Sequence, residues 1–291
     1  MAILALIWGS SFILMKHSLF DSDGKVLFSP FQVATIRMTI ATLVLLPVAV
    51  KNYKLLLGKN FAALFCVGFF GNCLPAFLFS FAQTKLDSSV AGMLNSLSPL
   101  FTLILGVLFF NTSVKQGQII GLIIGFLGAL GLIFSNYSPG NTIHLQSASL
   151  IVIATACYGL SLNIVKKYLV EIPSIQITSL ALFCVGWAAS IYLFSTDFVS
   201  IVQSNPGGLM GLGAVSLLAI FGTAMALIIF NTLVKRVDAL YAASVTYLMP
   251  IVAIGWGILD GETPRWIQLL FIGIILIGIY IVNRSNKKIA Q

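Results

Sequence analysis

Charge is scarce in this chain of 291 residues: Asp, Glu, Lys and Arg together make up 8% of it, and His occurs twice. A water-soluble domain of ordinary composition devotes about a quarter of its residues to charge, so the 59% hydrophobic remainder needs a bilayer as its solvent. Acids are especially few, and Asp87, Asp238, Asp260 and Glu262 all fall at the ends of apolar runs. A membrane-embedded hydrolase or transferase needs His, Asp, Glu or Cys gathered at one depth within hydrogen-bond reach. No such set can be assembled, so no enzyme, metal site or cofactor is expected. Cys66, Cys73, Cys157 and Cys184 lie in apolar runs without paired spacing, which reads as small buried hydrophobes, not disulfides or metal ligands. Long polar linkers are missing too: the turn-rich pieces at 21–25, 51–60, 138–141 and 204–208 are too short to hold a soluble domain. The net charge of +8 is spread over such stretches, which argues against nucleic acid and for anionic lipid headgroups as neighbours.

Apolar text fills the space that charge leaves. A hydrocarbon slab takes about 20 apolar residues per helix, and ten such runs are found at 2–20, 30–50, 61–82, 87–110, 116–135, 147–169, 174–195, 208–233, 239–259 and 265–283. The first lacks a basic leader and is read as a retained helix behind a short, trimmed start. Lys and Arg set the orientation. With the N-terminus cytoplasmic, the inner side carries Lys51, Lys54, Lys59, Lys115, Lys166, Lys167, Lys235, Arg236, Arg284, Lys287 and Lys288, against Lys16, Lys25, Arg37, Lys85 and Arg265 outside. Ten runs then return the C-terminus to the cytoplasm, in a multi-pass protein of the bacterial plasma (inner) membrane.

The text also repeats. Run 1 overlies run 6 at an offset of 150, matching Gly9 with Gly159, Ser11 with Ser161 and Lys16 with Lys166. Runs 3 and 4 overlie runs 8 and 9 at 151, matching Phe70-Gly71 with Phe221-Gly222, Phe79 with Phe230, Asp87 with Asp238 and Pro99 with Pro250. The repeats span 1–137 and 146–285. Five helices per copy is an odd number, so the second copy enters the membrane inverted, the plan by which many transporters alternate access around a midplane site.

Ala5-Leu-Ile-Trp-Gly-Ser-Ser-Phe12, Ala34-Thr-Ile-Arg37, Asp87-Ser-Ser-Val-Ala-Gly-Met-Leu-Asn-Ser-Leu-Ser-Pro99, Tyr241-Ala-Ala-Ser-Val-Thr-Tyr-Leu-Met-Pro250 and Asp260-Gly-Glu262 follow one another in this order. Together they resemble the EamA-like family of the drug/metabolite transporter superfamily over nearly the whole chain. The resemblance implies ten helices, both termini cytoplasmic, a cavity lined mainly by helices 1, 3, 4, 6, 8 and 9, and export or exchange of small metabolites, often amino acids. The chain departs from the family at Asn111, where an acid often follows helix 4, whereas Glu262 keeps the acid after helix 9.

Helical phase picks out candidate substrate-binding faces: Trp8, Ser11 and Met15; Asn72, Ala76, Phe79 and Gln83; Gly92, Asn95, Ser98 and Thr102; Thr155, Tyr158 and Ser161; Thr223 and Asn231; Ser244 and Tyr247. Pro99 and Pro250 interrupt their helices at matched positions and are read as hinges or gates. Polar residues on such faces also serve as interhelical glue. Gly121, Gly125 and Gly128, with Gly273 and Gly278, read as close-packing positions within a bundle or at a dimer seam, so monomer and homodimer both stay open.

Ionisable groups inside a membrane are functional suspects. Arg37 lies about two turns into its helix, where it either snorkels outward or pairs with Asp87, Glu262 or substrate. A cavity of Trp, Tyr, Phe, Met, Asn and Ser suits a neutral or zwitterionic solute, since a phosphorylated one would call for converging cations. A secondary transporter by alternating access is the reading; a channel, or a receptor or structural membrane protein, is the alternative. Without a carboxylate at the centre of any run, exchange or facilitated diffusion is expected over obligatory proton antiport, with Glu262 the exception to watch.

Overall fold

The computed structural model describes residues 1–21, 23–135, 145–259 and 266–287. Glu262, Asp260, Arg265, His144 and the turn at 138–141 lie outside them. Ten long helices are described: α1 Ala2–Leu19, α2 Pro30–Lys51, α3 Phe61–Ala82, α4 Ser88–Phe110, α5 Gln116–Ser135, α6 Leu145–Tyr168, α7 Ser174–Phe194, α8 Gly208–Arg236, α9 Ala239–Leu259 and α10 Trp266–Lys287. Eight of these are long and apolar enough to cross a membrane, and α5 and α10 carry shorter apolar stretches at Gln116–Gly128 and Leu269–Val282. Their ends fall within a few residues of the apolar runs, except that α10 continues to Lys287. The sequence reading missed a short helix at Phe198–Ser204 and a 3-10 turn at Tyr53–Leu57. Helices are the expected form, because hydrocarbon offers backbone groups no partner and each run must satisfy its own.

Sorting is by packing more than by polarity. Leu43, Val107, Leu108, Phe109 and Ile191 are exposed on the outer faces, while Thr39, Thr42, Asn72, Asn95 and Asn163 are buried within. Lipid tails are as apolar as these side chains, so what brings helices together is close approach and interhelical hydrogen bonding. Thr42 Oγ1 donates to Leu182 O at 3.2 Å between α2 and α7. Between α5 and α10 the approach is backbone to backbone: a Cβ on Gly121 would stand 2.7 Å from Gly278 O, and one on Gly278 would stand 2.6 Å from Gly121 O. The glycine stripe therefore packs inside one chain. Gly273, grouped with it from sequence, has nothing within 4 Å of its would-be Cβ and takes no part.

Ends and interruptions follow local rules. Ser29 closes a capping box at α2: its Oγ accepts from Gln32 N at 3.2 Å and its N donates to Gln32 Oε1 at 2.9 Å. Asn111 takes the left-handed conformation (φ 54°) that ends α4, a place where Asn is tolerated for its short polar side chain. That accounts for Asn at the position where the resembled family often has an acid.

Four of the crossings are broken. In α4 the helix lapses at Ser96–Leu97 and restarts with Pro99 near its head; in α9 a 3-10 segment, Ser244–Leu248, precedes Pro250. A proline leaves the carbonyl four residues earlier without its helical donor. Those carbonyls are Asn95 O and Thr246 O, and both are taken up, by Ser98 Oγ at 2.8 Å and by Ser96 Oγ at 3.4 Å. α3 and α8 each contain a π turn, Phe69–Cys73 and Leu218–Met225, a feature often found at functional sites.

Candidate functional site

The broken helices converge on a central cavity of about 110 Å³. Its wall includes Trp8, Ser11, Phe12 and Met15 of α1, Arg37 of α2, Gly71, Asn72 and Phe79 of α3, Asn95, Ser98 and Thr102 of α4, and Tyr158 and Ser161 of α6. From the second half come Thr178 and Ala181 of α7, Gly222, Phe230 and Asn231 of α8, and Ala243, Thr246 and Met249 of α9. Trp8, Ser11, Met15, Asn72, Phe79, Asn95, Ser98, Tyr158 and Ser161, drawn from sequence as candidate binding residues, are thus brought together around one space.

Tyr247 is the correction. It is buried with Met93, Leu122 and Ile275, its ring lies against Gly125 of α5, and its hydroxyl has no hydrogen-bond partner among the described residues. The reason is the 3-10 segment: a residue there turns about 120° where an α-helical one turns 100°, so a phase carried in at 3.6 residues per turn arrives one residue late. Thr246 faces the cavity instead. Gln83, Gly92, Thr155 and Ser244 also sit elsewhere. Gln83 Nε2 donates to Phe12 O at 3.1 Å, a Cβ on Gly92 would meet Ala253 and Phe12, and Thr155 and Ser244 bond carbonyls of their own helices. Pro99 and Pro250 are buried behind the wall, where they shape its backbone.

Aromatic rings supply the apolar surface. Trp8 and Phe230 meet edge to face at 4.9 Å, and Phe79 stacks on Tyr158 at 6.1 Å. The Trp8 indole N–H donates to Gly222 O at 2.9 Å, a carbonyl of the α8 π turn. In each π turn one side chain bonds five residues back: Asn72 Nδ2 donates to Val67 O at 3.2 Å, and Thr223 Oγ1 donates to Leu218 O at 3.3 Å. Arg37 neither snorkels nor pairs with Asp87: its Nε donates to Thr223 Oγ1 at 2.7 Å and its guanidinium borders the cavity. Asn95 Nδ2 lies 3.3 Å from Met249 Sδ, and Asn231 Nδ2 donates to Thr178 Oγ1 at 2.9 Å. Among the described residues no group of three or more His, Cys, Asp or Glu could hold a metal ion.

The contacts around the cavity are reciprocal. A Cβ on Gly71 would overlap Ser161, and one on Gly222 would lie 2.8 Å from Ser11 Oγ. A Cβ on Gly9 would strike Val252, and one on Gly159 would strike Phe101 and Thr102. So α1 leans on α8 and α9 through the same positions by which α6 leans on α3 and α4. Latches at two corners close the surround. Gln83 Nε2 and Ser88 Oγ both donate to Phe12 O at 3.1 Å where α3 turns into α4, and Lys166 Nζ donates to Val234 O at 3.2 Å and Val237 O at 2.8 Å where α8 turns into α9. Lys166, counted from sequence among the inner-side cations, is spent on these carbonyls. A second recess of about 370 Å³ shares Thr102 and is lined by Lys115, Lys166, Lys167, Asn163 and Asp238.

Phe230, Thr246, Met249 and Gly222 were not drawn from sequence as site residues. A signal for them existed: carried across the offset of 151, Phe79, Asn95, Ser98 and Gly71 land on these four.

Comparison with known proteins shows the family and the fold. The family model described as the EamA-like transporter family matches residues 1–134 and 145–284. An uncharacterized transporter of Archaeoglobus fulgidus is 26% identical, with 98% of each chain covered. The uncharacterized transporter YvbV of Bacillus subtilis is 27% identical over 99% of this chain and 91% of its own. The uncharacterized inner membrane transporter YedA of Escherichia coli K12 is 24% identical over 96% and 88%. A crystal structure at 13% identity superposes with a TM-score of 0.70, covering 99% of this chain and 96% of its own, and so shares the fold.

Proposed function

The chain belongs to the EamA-like transporter family and is a multi-pass membrane transporter, and from that premise we propose that it carries small neutral or zwitterionic metabolites, such as amino acids, by alternating access. Its ten helices then form two inverted five-helix repeats spanning the bacterial plasma membrane, with both termini cytoplasmic. The observation that carries this reading is the reciprocity of Gly71 against Ser161 and Gly222 against Ser11 around one cavity. Two copies related by an in-plane two-fold axis make such paired contacts, and a site on that axis is reached equally from either side.

In this orientation the Gln83–Ser88–Phe12 latch closes the outer side and the Lys166 latch the inner side, next to the basic recess. Opening one while the other holds exposes the cavity to one side at a time: α3 and α4 gate outward, α8 and α9 inward. Among the described residues the cavity wall holds no carboxylate, which supports solute exchange or facilitated diffusion over one-proton antiport.

Counterflow in proteoliposomes tests the proposal: preloaded unlabelled amino acids should drive transient uptake of the labelled compound. Flux that never shows counterflow would instead mark a channel. If an imposed pH gradient drives uphill uptake that Glu262→Gln abolishes, proton coupling replaces exchange. Orientation is checked by cysteine labelling at Asn52, expected to be blocked from outside intact cells; labelling there reverses the topology.

A further inference from the structure

The cavity holds a cation for which the described residues of its wall supply no counter-charge. Among them Arg37 is the one Lys or Arg, and no Asp or Glu stands there. A guanidinium keeps its charge under physiological conditions, and an uncompensated charge at bilayer depth is costly. Its orientation is fixed from behind. Thr223 spends its own proton on Leu218 O, so its hydroxyl offers a lone pair, and Arg37 Nε–H takes it at 2.7 Å. The Nη1 and Nη2 donors have no acceptor among the described residues, and the group borders the open space.

We infer that Arg37, held by Thr223, is a carboxylate anchor, and that the solute of this transporter bears one carboxylate. This rests on the cavity being the transport site, and it narrows the proposed class to zwitterions while adding monocarboxylate anions to it. The two outer N–H groups of a guanidinium match the two oxygens of a carboxylate in a parallel pair of charge-assisted hydrogen bonds. One cation balances one negative charge, so a phosphate or dicarboxylate would leave charge uncompensated. Trp8, Phe79 and Tyr158 offer rings to the rest of the solute, over which an ammonium is also accommodated. Size limits the solute: an apolar cavity of about 150 Å³ takes a benzene-sized molecule, so about 110 Å³ favours the smallest carboxylates, of about half a dozen non-hydrogen atoms at most.

Butyrate and L-alanine, each against its amide (butyramide, L-alaninamide), test the anchor by calorimetric titration of the purified protein and by counterflow of the same four compounds. The acids should bind at least about ten-fold more tightly than their amides. Arg37→Gln should weaken acid binding by about 10- to 100-fold and leave the amides unchanged. Should that variant fail to fold, Thr223→Val keeps the charge and removes its support, and should weaken the acids by about three- to ten-fold with the amides unmoved. A purely structural Arg37 would lower stability without altering the acid-to-amide ratio. Equal or no binding of acids and amides by the parent protein, or an acid preference that survives Arg37→Gln, overturns the anchor. Counterflow without acid preference removes the anchor and keeps the transporter; acid-selective binding without any counterflow does the reverse.

Discussion

In α3 the π turn is closed by Asn72 reaching back to Val67 O; in α8 it is closed by Thr223 reaching back to Leu218 O, each partner 151 residues further on. The backbone device is the same and the chemistry left over is not. An amide that donates one N–H keeps a second donor and an acceptor, and Asn72 borders the cavity with them. A hydroxyl that has donated its one proton can only accept, and Thr223 accepts from Arg37. The counterpart of Arg37, at an offset of 144, is Ala181, whose carbonyl lies where a Cβ on Gly68 would go. Among the described residues the backbone device thus recurs while the charge does not. On the proposed reading the recurring frame would give the site access from both sides, and Arg37 would give the solute a direction.

The largest effects are expected where the halves are most alike. Gly71→Leu and Gly222→Leu should each cut counterflow at least about ten-fold, because a side chain at either position enters Ser161 or Ser11 and the cavity with it. Full activity in one of the two would break the equivalence of the halves. The alanine variants sharpen it: Gly71→Ala should cost more than Gly222→Ala, since its Cβ penetrates the opposing serine further, and Ser161→Gly should restore Gly71→Ala.

The latches come next. Gln83→Leu removes a donor from Phe12 O and Lys166→Met frees Val234 O and Val237 O. At about 1 kcal/mol per hydrogen bond, each should shift the balance of outward- and inward-facing states at least about five-fold, in opposite directions, and Lys166→Met further because it loses two bonds. Accessibility of a cysteine placed at Ser98 to impermeant reagents from the two sides reads the shift; movement in the same direction would deny that the latches hold opposite gates. Smallest are the π turns themselves. Asn72→Leu and Thr223→Val should each lower stability by about 1 kcal/mol, read as a fall in Tm of a few degrees in detergent. Loss in only one would mean that the two turns are not held alike.

Much of this architecture was legible because a bilayer simplifies the code: the apolar runs became long helices, eight of them long and apolar enough to cross a membrane, and the matched prolines became matched breaks. The site was legible wherever a helix kept its regular phase, as Trp8, Ser11 and Met15 did in α1. It was lost where the winding changes, which is why Thr246 was missed and Tyr247 named in its place. Arg37 could be flagged but not assigned, because its partner Thr223 is 186 residues away and no local pattern links them. The latches were invisible for the same reason: their acceptors are main-chain carbonyls, which every sequence has everywhere.

The glycine seam between α5 and α10 has a mechanical meaning. Among the described residues neither helix contributes to the cavity wall, and their contact at Gly121 and Gly278 is main chain against main chain. A joint of that kind has no rotamers to adjust and no methylenes to slide over one another, so it resists shear far better than an interface of leucines. It works as a keel. Whatever bends during a transport cycle has to bend around it, and the places in the same bundle with winding to give up are the π turns of α3 and α8 and the proline breaks of α4 and α9.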